Sequence, residues 1–185
     1  KTAIITGGGS GYGASMADLF AKNGAKVIVA DIDLDSARKV AEHIGGYPIE
    51  VDVSNAHSVK QMKTNVFKEY QKVDILVNNA GTTHLPAPME TIEEDEFDRV
   101  FNVNCKSVYL TAKHFVPHFK ENKSGVILNI ASTAGVSPRP NLNWYNSSKG
   151  WMIVASKTMA VELAPFGIRV NVVNPVAGET PLLKS

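Results

Sequence analysis

Short β-branched runs alternate with longer segments of helical period along the whole chain, and this alternation restricts the fold more than any other feature. Residues 3–5, 26–30, 48–51, 74–77, 126–130 and 168–172 are mostly unbroken apolar stretches, the pattern of parallel strands covered on both faces. Helix-like stretches near 14–23, 34–44, 56–70, 94–121 and 144–164 lie between them. Such a chain builds an α/β fold, a doubly wound parallel sheet with right-handed crossovers. Gly24 stops the first helix, Gly45 and Gly46 the second, and the segment Asp52-Val53-Ser54 offers caps to the third. Residues 1–185 read as a single domain, because no repeat, low-complexity tract or linker interrupts the pattern.

Composition narrows the function classes. Nineteen Lys and Arg against 18 Asp and Glu leave a net charge of +1, which gives no electrostatic case for nucleic acid. No apolar run approaches the roughly 18 residues of a membrane span, and the N-terminus lacks the zones of a signal peptide. A cytoplasmic protein is the expectation. Cys105 is the only cysteine, so no internal disulfide or thiolate metal cage can form, and Cys105 reads as a small buried hydrophobe. The acids Glu93–Glu96 open a helix, where they complement its dipole, and are not read as catalytic carboxylates. No cluster of His and carboxylates suggests a metal, and His84 reads as a loop residue.

The junction of the first strand and first helix is Thr6-Gly7-Gly8-Gly9-Ser10-Gly11-Tyr12-Gly13. Glycines there let the backbone turn tightly and approach a pyrophosphate, whose charge the helix N-terminus stabilises. A triphosphatase loop would end in Gly-Lys-Ser/Thr, and this one does not. Glycines alone fit a structural turn equally well, but Asp31 closes the second strand 18 residues after Gly13. A carboxylate there accepts ribose hydroxyls and repels a 2′-phosphate, which selects NAD over NADP. No cation in the loop or directly after Asp31 opposes this, and capping of the next helix is better served by Asp33 or Asp35.

Two Tyr–Lys pairs have the spacing of one helical turn, Tyr109 with Lys113 and Tyr145 with Lys149. That spacing brings the ammonium toward the phenol, and a nearby cation lowers a phenol's pKa from about 10 toward the range of a general base. Location separates the pairs. Tyr145 follows the loop after the 126–130 strand, at the carboxyl edge of the sheet, with the Ser132 hydroxyl nearby to bond a substrate oxygen. Tyr109 falls inside a long helix and reads as a packing or interface residue.

These residues together identify the chain as resembling the short-chain dehydrogenase/reductase family over nearly all of its length. Thr6-Gly7-x-x-x-Gly11-x-Gly13 resembles the family's cofactor loop, Asp52-Val53 its adenine-contacting pair, and Asn78-Asn79-Ala80-Gly81 its strand-four motif. Asn104, Ser132, Tyr145 and Lys149 match the catalytic tetrad, with Ser132 13 residues before Tyr145. The resemblance implies a Rossmann-type fold and hydride transfer between NAD and a secondary alcohol or ketone. It implies that Tyr145 is the acid/base, that Lys149 lowers its pKa and holds the nicotinamide ribose, that Ser132 orients the substrate, and that Asn104 kinks its helix and holds a water in a proton relay. Gly7, Ser10, Gly11, Tyr12, Gly13, Asp31, Asp52, Val53, Asn79, Ala80, Gly81, Pro175, Val176 and Thr180 are the remaining expected cofactor contacts.

Two departures stand out. The family's Pro-Gly-x-Ile/Val-x-Thr loop reads here Pro175-Val176-Ala177-Gly178-Glu179-Thr180, and Tyr12 stands where an aliphatic residue is common. The family domain also continues past the Thr180 position with a lid, a helix and a seventh strand, so the 185 residues read as C-terminally incomplete. By the same resemblance, specificity would come from loops near 82–90 and 133–144 and from the lid after Thr180. Arg139, Leu142 and Trp144 are candidates for the pocket wall or for packing on a lid. The last helix is apolar on more than one face, through Trp151, Val154, Val161 and others. A homodimer or homotetramer through the helices near 104–121 and 148–164 is therefore expected. The partner of the site is a small-molecule alcohol or ketone, with a 3-oxoacyl-type reductase and a catalytically silent NAD-binding regulator as the competing readings.

Overall fold

The computed structural model describes residues 1–176 and residue 178. Six strands, β1 (Thr2–Thr6), β2 (Lys26–Asp31), β3 (Tyr47–Glu50), β4 (Ile75–Asn78), β5 (Gly125–Ile130) and β6 (Ile168–Val173), pair in parallel in the order β3-β2-β1-β4-β5-β6. Helices α1 (Gly11–Lys22), α2 (Leu34–Ile44), α3 (Ala56–Glu69), α4 (Glu94–Phe101), α5 (Ser107–Glu121) and α6 (Asn143–Leu163) connect them. The expected doubly wound sheet is thus the observed one. The chain leaves β1 toward β2 and later returns to β4 on its other side. A crevice therefore opens beyond the carboxyl ends of β1 and β4, where folds of this kind take ligands.

Neighbouring residues of the central strands enter different cores. Ile4, Ile28 and Ala30 pack with Val59, Met62, Val66, Phe115 and Phe119 of α3 and α5, whereas Ile5, Val27 and Val29 pack with Ala17, Ala37 and Ala41 of α1 and α2. Both faces of β1 and β2 are dry, which is why their sequences lack polar alternation. β6 departs from that expectation. Ile168 and Val170 are buried while Arg169, Asn171 and Val173 are exposed, because no helix among the described residues covers that face.

The stretch read as one helix over 94–121 is divided. A wide π turn over Asn102–Lys106 joins α4 to α5. Glu94, Asp95 and Glu96 fill the first turn of α4, and Glu96 binds Arg99 at 2.7 Å. Arg99 reaches on to the Thr82 hydroxyl and the Thr83 carbonyl, tying the loop after β4 to the helix. Pro86, Pro88, Pro138 and Pro140 lie in loops, whereas Pro117 stands inside α5.

Candidate active site

The glycine loop is shaped by what a side chain would strike. Gly7 has φ +61° and Gly11 φ +51°, conformations that favour glycine. A β-carbon on Gly13 would collide with the Gly7 carbonyl oxygen, and one on Gly7 would sit 2.9 Å from Cα of Ala80. Ser10 precedes α1 in extended geometry without a capping side-chain bond, and the helix's first turn carries no acid. By contrast, Asp33 caps α2 by accepting from the amides of Asp35 and Ser36. The amides at the start of α1 are therefore left for an external anion, which fits a pyrophosphate.

The Asp31 carboxylate accepts the Gly9 amide at 2.8 Å and the Asp33 amide at 3.1 Å. It stands at the tip of β2, where it locks the loop and presents negative charge to whatever lies beyond. Asn79 closes the loop from the other side. Its Nδ2 donates to the carbonyls of Thr6 and Gly7 at 3.0 Å, and its amide and that of Ala80 donate to the Thr6 hydroxyl. Asp52 accepts from the amide and hydroxyl of Ser54, and Val53 is buried. Pro175 accepts from the Thr133 amide, which joins the exit of β6 to the loop after β5. Val176 is exposed. Thr180 lies outside the described residues.

Tyr12 and Gly178 are brought together. A β-carbon on Gly178 would run into the Tyr12 hydroxyl, so the phenol occupies the space that a side chain at 178 would need. The two departures seen separately in the sequence are one steric arrangement.

Ser132, Tyr145 and Lys149 meet at the carboxyl end of β5. Ser132 caps the short turn 133–135 by accepting the Ala134 amide. Gly135 allows that turn to lie against α6, since a β-carbon there would sit 2.7 Å from the backbone of Lys149 and Gly150. Lys149 is 3% exposed and donates from Nζ to the Ile130 carbonyl at 3.0 Å. Its ammonium lies 5.9 Å from the Tyr145 ring centroid. Burial pushes Lys149 down to about 8, opposed by Cys105, and burial lifts the Cys105 thiol to about 11.

Burial also holds the Tyr145 phenol above its ordinary value, while the Ser132 hydroxyl and the charge of Arg139 pull it down. This differs from the expectation that Lys149 lowers it. One donor of the ammonium is used on the Ile130 carbonyl, and the charge that lowers the phenol is that of Arg139.

Asn104 sits at the centre of the π turn and is fully buried. Its Oδ1 accepts the Thr82 amide at 2.8 Å, and its Nδ2 donates to the Thr82 carbonyl and the Ser148 hydroxyl at 2.9 Å. A side chain at Gly81 would meet both Lys149 Nζ and Asn104 Oδ1, so these groups face one gap.

Beneath the site runs a buried polar ladder of which only Asn78 belongs to a motif seen in the sequence. Thr111 donates to Asn78, Asn78 to Asn129, and Asn129 to Ser156, at 2.8 to 2.9 Å. It couples α5, β4, β5 and α6, with Asn78 and Asn129 directly paired in the sheet. His84 lies in the loop after β4, as read, and is buried there, with Nδ1 on the Leu85 carbonyl and Nε2 without a partner among the described residues. No group of three metal-ligating side chains occurs among the described residues, and no helix there is long and apolar enough to cross a membrane.

Comparison with known proteins bears on this geometry. Residues 1–185 match the model of the family described as short chain dehydrogenase. A 4-formylbenzenesulfonate dehydrogenase of Comamonas testosteroni is 43% identical over 99% of this chain and 75% of its own. A 3-oxoacyl-(acyl-carrier-protein) reductase of Thermotoga maritima is 38% identical over 98% of this chain and 76% of its own. The crystal structure of a 3-ketoacyl-(acyl-carrier-protein) reductase from Brucella melitensis in complex with NADH superposes with a TM-score of 0.98 at 49% identity, covering 100% of this chain and 78% of that one.

Proposed function

The chain belongs to the short-chain dehydrogenase family, and on that premise we propose that it is a cytoplasmic NAD-dependent oxidoreductase interconverting a secondary alcohol and a ketone. Residues 1–185 act in this reading as one cofactor-binding and catalytic domain. The observation that carries it is the burial of the Lys149 ammonium beside Tyr145 at the carboxyl edge of the sheet. A buried ammonium costs stability, and holding a ribose accounts for the cation but not for the phenol and the serine hydroxyl gathered beside it.

NAD, when bound, supplies the hydride acceptor or donor. The chain supplies position and protons. Tyr145 takes the proton of the substrate hydroxyl in oxidation and returns it in reduction, and Ser132 donates to the same oxygen. The Lys149 ammonium has three donors and uses one on Ile130, so two remain for the ribose hydroxyls and for the ionised phenol. Asn104 fixes Thr82 and Ser148 around that ammonium. The Gly7–Gly13 loop and the start of α1 hold the pyrophosphate. Asp52, Val53, Asn79, Ala80 and Gly81 would hold the adenine and ribose, and Pro175 and Val176 would meet the nicotinamide, a role the family pattern also gives to Thr180. Asp31 supports NAD over NADP, because a 2′-phosphate would meet a carboxylate already fixed by two amides.

The relatives named as 3-oxoacyl and 3-ketoacyl reductases favour a second reading, reduction of a 3-oxoacyl group by the same residues. Tyr109, Trp151, Val154 and Val161 are large exposed apolar side chains on α5 and α6, which supports self-association through those helices. The deciding experiment is a panel of secondary alcohols and ketones with NAD and NADP, followed by absorbance of the reduced nicotinamide. Turnover with NAD is expected, and Asp31→Ala should weaken NAD and relax discrimination against NADP. Binding without turnover across the panel would favour a silent regulator, and unchanged cofactor preference would remove Asp31 from this role.

A further inference from the structure

A cavity of about 490 Å³ lies between the loop after β4 and the loop after β5, lined by Pro88, Met89, Arg139, Asn143, Asn146 and their neighbours. Its size is that of a small-molecule site. Both walls are tied. The Asn141 carbonyl accepts the Ala87 amide at 3.0 Å, and the Trp144 indole donates to the Met89 carbonyl at 3.1 Å. Asn141 adopts φ +63°, a left-handed conformation that asparagine tolerates, and Pro138 and Pro140 fix the backbone on either side of Arg139.

Arg139 is therefore held by its backbone and free at its head. Buried Asn146, 6% exposed, donates from Nδ2 to the Arg139 carbonyl at 2.8 Å. The guanidinium makes no ion pair among the described residues, although Glu90 lines the same cavity. Arg38 and Arg99 each bind a carboxylate, and Arg169 on β6, like Arg139, pairs with none among the described residues. Beside this exposed guanidinium, the buried Asn146 Oδ1 has no donor among the described residues. The cavity reaches the first turn of α6 through Asn143 and Asn146, the turn that also carries Tyr145.

We propose that Arg139 is a specificity-determining residue that binds an anionic substituent of the substrate, so that the preferred substrate is a ketone or alcohol carrying a carboxylate or sulfonate. The inference rests on the oxidoreductase reading for its chemistry, but its charge recognition can be measured apart from turnover. A guanidinium presents paired N–H donors that match a carboxylate or sulfonate edge. Met89 and the prolines supply apolar walls for the carbon frame between the two ends.

The test uses matched ketones: 4-acetylbenzoate, 4-acetylbenzenesulfonate and 4-acetylbenzamide, with the shorter pair 4-oxopentanoate and 4-oxopentanamide. Binding is measured by calorimetry without cofactor, and reduction with NADH as kcat/KM. The wild type should favour an anion over its amide by roughly 10-fold to 100-fold, the range of a charged hydrogen bond. The ratio should fall to about threefold or less in Arg139→Gln and largely survive in Arg139→Lys. Because it is a ratio, a general disturbance of Tyr145 cancels. The relative affinity of carboxylate and sulfonate tells which anion the site takes. Amides that bind and react as well as the anions, a preference that persists in Arg139→Gln, or no binding by any ketone would each overturn the proposal. An anion preference in binding that Arg139→Gln abolishes, without turnover of any ketone, would uphold the subsite and bring down the oxidoreductase reading instead.

Discussion

Tyr109–Lys113 on α5 and Tyr145–Lys149 on α6 share a spacing and almost a geometry, with ammonium to ring-centroid distances of 5.7 Å and 5.9 Å. The surface pair is the one in direct contact: Lys113 Nζ lies 3.4 Å from the Tyr109 hydroxyl, whereas Lys149 turns away to the Ile130 carbonyl. Yet Tyr109 is 53% exposed, and a water-screened contact of that kind is worth little. Lys149 is buried and correspondingly perturbed. Reactivity in such a pair is thus set by what surrounds it, the end of β5 and the Ser132 turn, more than by the tyrosine and lysine themselves.

The strongest way to break the comparison is Tyr145→Phe beside Tyr109→Phe. Removing the proton-transfer group should cut kcat by about 10²–10⁴-fold while NAD binding, read by calorimetry, is retained. Tyr109→Phe should stay within about twofold of the wild type. The reverse ranking would move the chemistry to the surface pair.

The next contrast is in stability. Lys149 has a folded pKa of about 8 against an ordinary 10.5, a difference of roughly 3 kcal/mol. The unfolded chain binds more protons between those values, so this lysine's contribution to stability is least favourable below pH 8, rises as pH climbs from about 8 to 10.5, and levels off above. Lys149→Met should therefore raise stability at pH 7, by about 1–2 kcal/mol once the unpaired Ile130 carbonyl is counted. Its advantage over the wild type in urea titrations should shrink through that pH window. A constant difference across the window would mean that the ammonium is not desolvated. The smallest effect belongs to Lys113→Met, expected within about 0.5 kcal/mol of the wild type and without any pH trend in the same titrations.

Much of this arrangement is legible from local pattern. The six strands begin and end within about a residue or two of the apolar runs, since short β-branched runs bounded by turn residues have no competing helical period. The glycine loop, Asp31, and the choice between the two tyrosines follow from position relative to strand ends. What the sequence hides depends on partners far away along the chain. Thr111, Asn78, Asn129 and Ser156 look like scattered polar residues on four elements, and only the packed fold makes them a ladder. His84, in a proline-bearing loop, gives no local sign of burial. Periodicity also runs unbroken through 94–121, since a π turn adds a residue without adding a helix breaker. Arg139 was visible only as one of several loop residues, because its meaning comes from the wall that Asn146 and Met89 build around it.

That π turn has a consequence for how the chain tolerates changes in length. Each residue of an α-helix turns the chain by about 100°, so the extra residue in Asn102–Lys106 acts as a phase shift between two helical faces. Ahead of it, Val100 points into the core; behind it, Thr111, Phe115 and Phe119 do so. Losing a single residue here would leave a smooth helix of nearly the same reach, with Thr111 still at Asn78 and Phe115 still in the core, because the wide turn already holds the surplus residue. The same deletion further along α5 would swing everything beyond it by about 100°. The π turn is thus the one place in this helix pair where a change of length need not be a change of face.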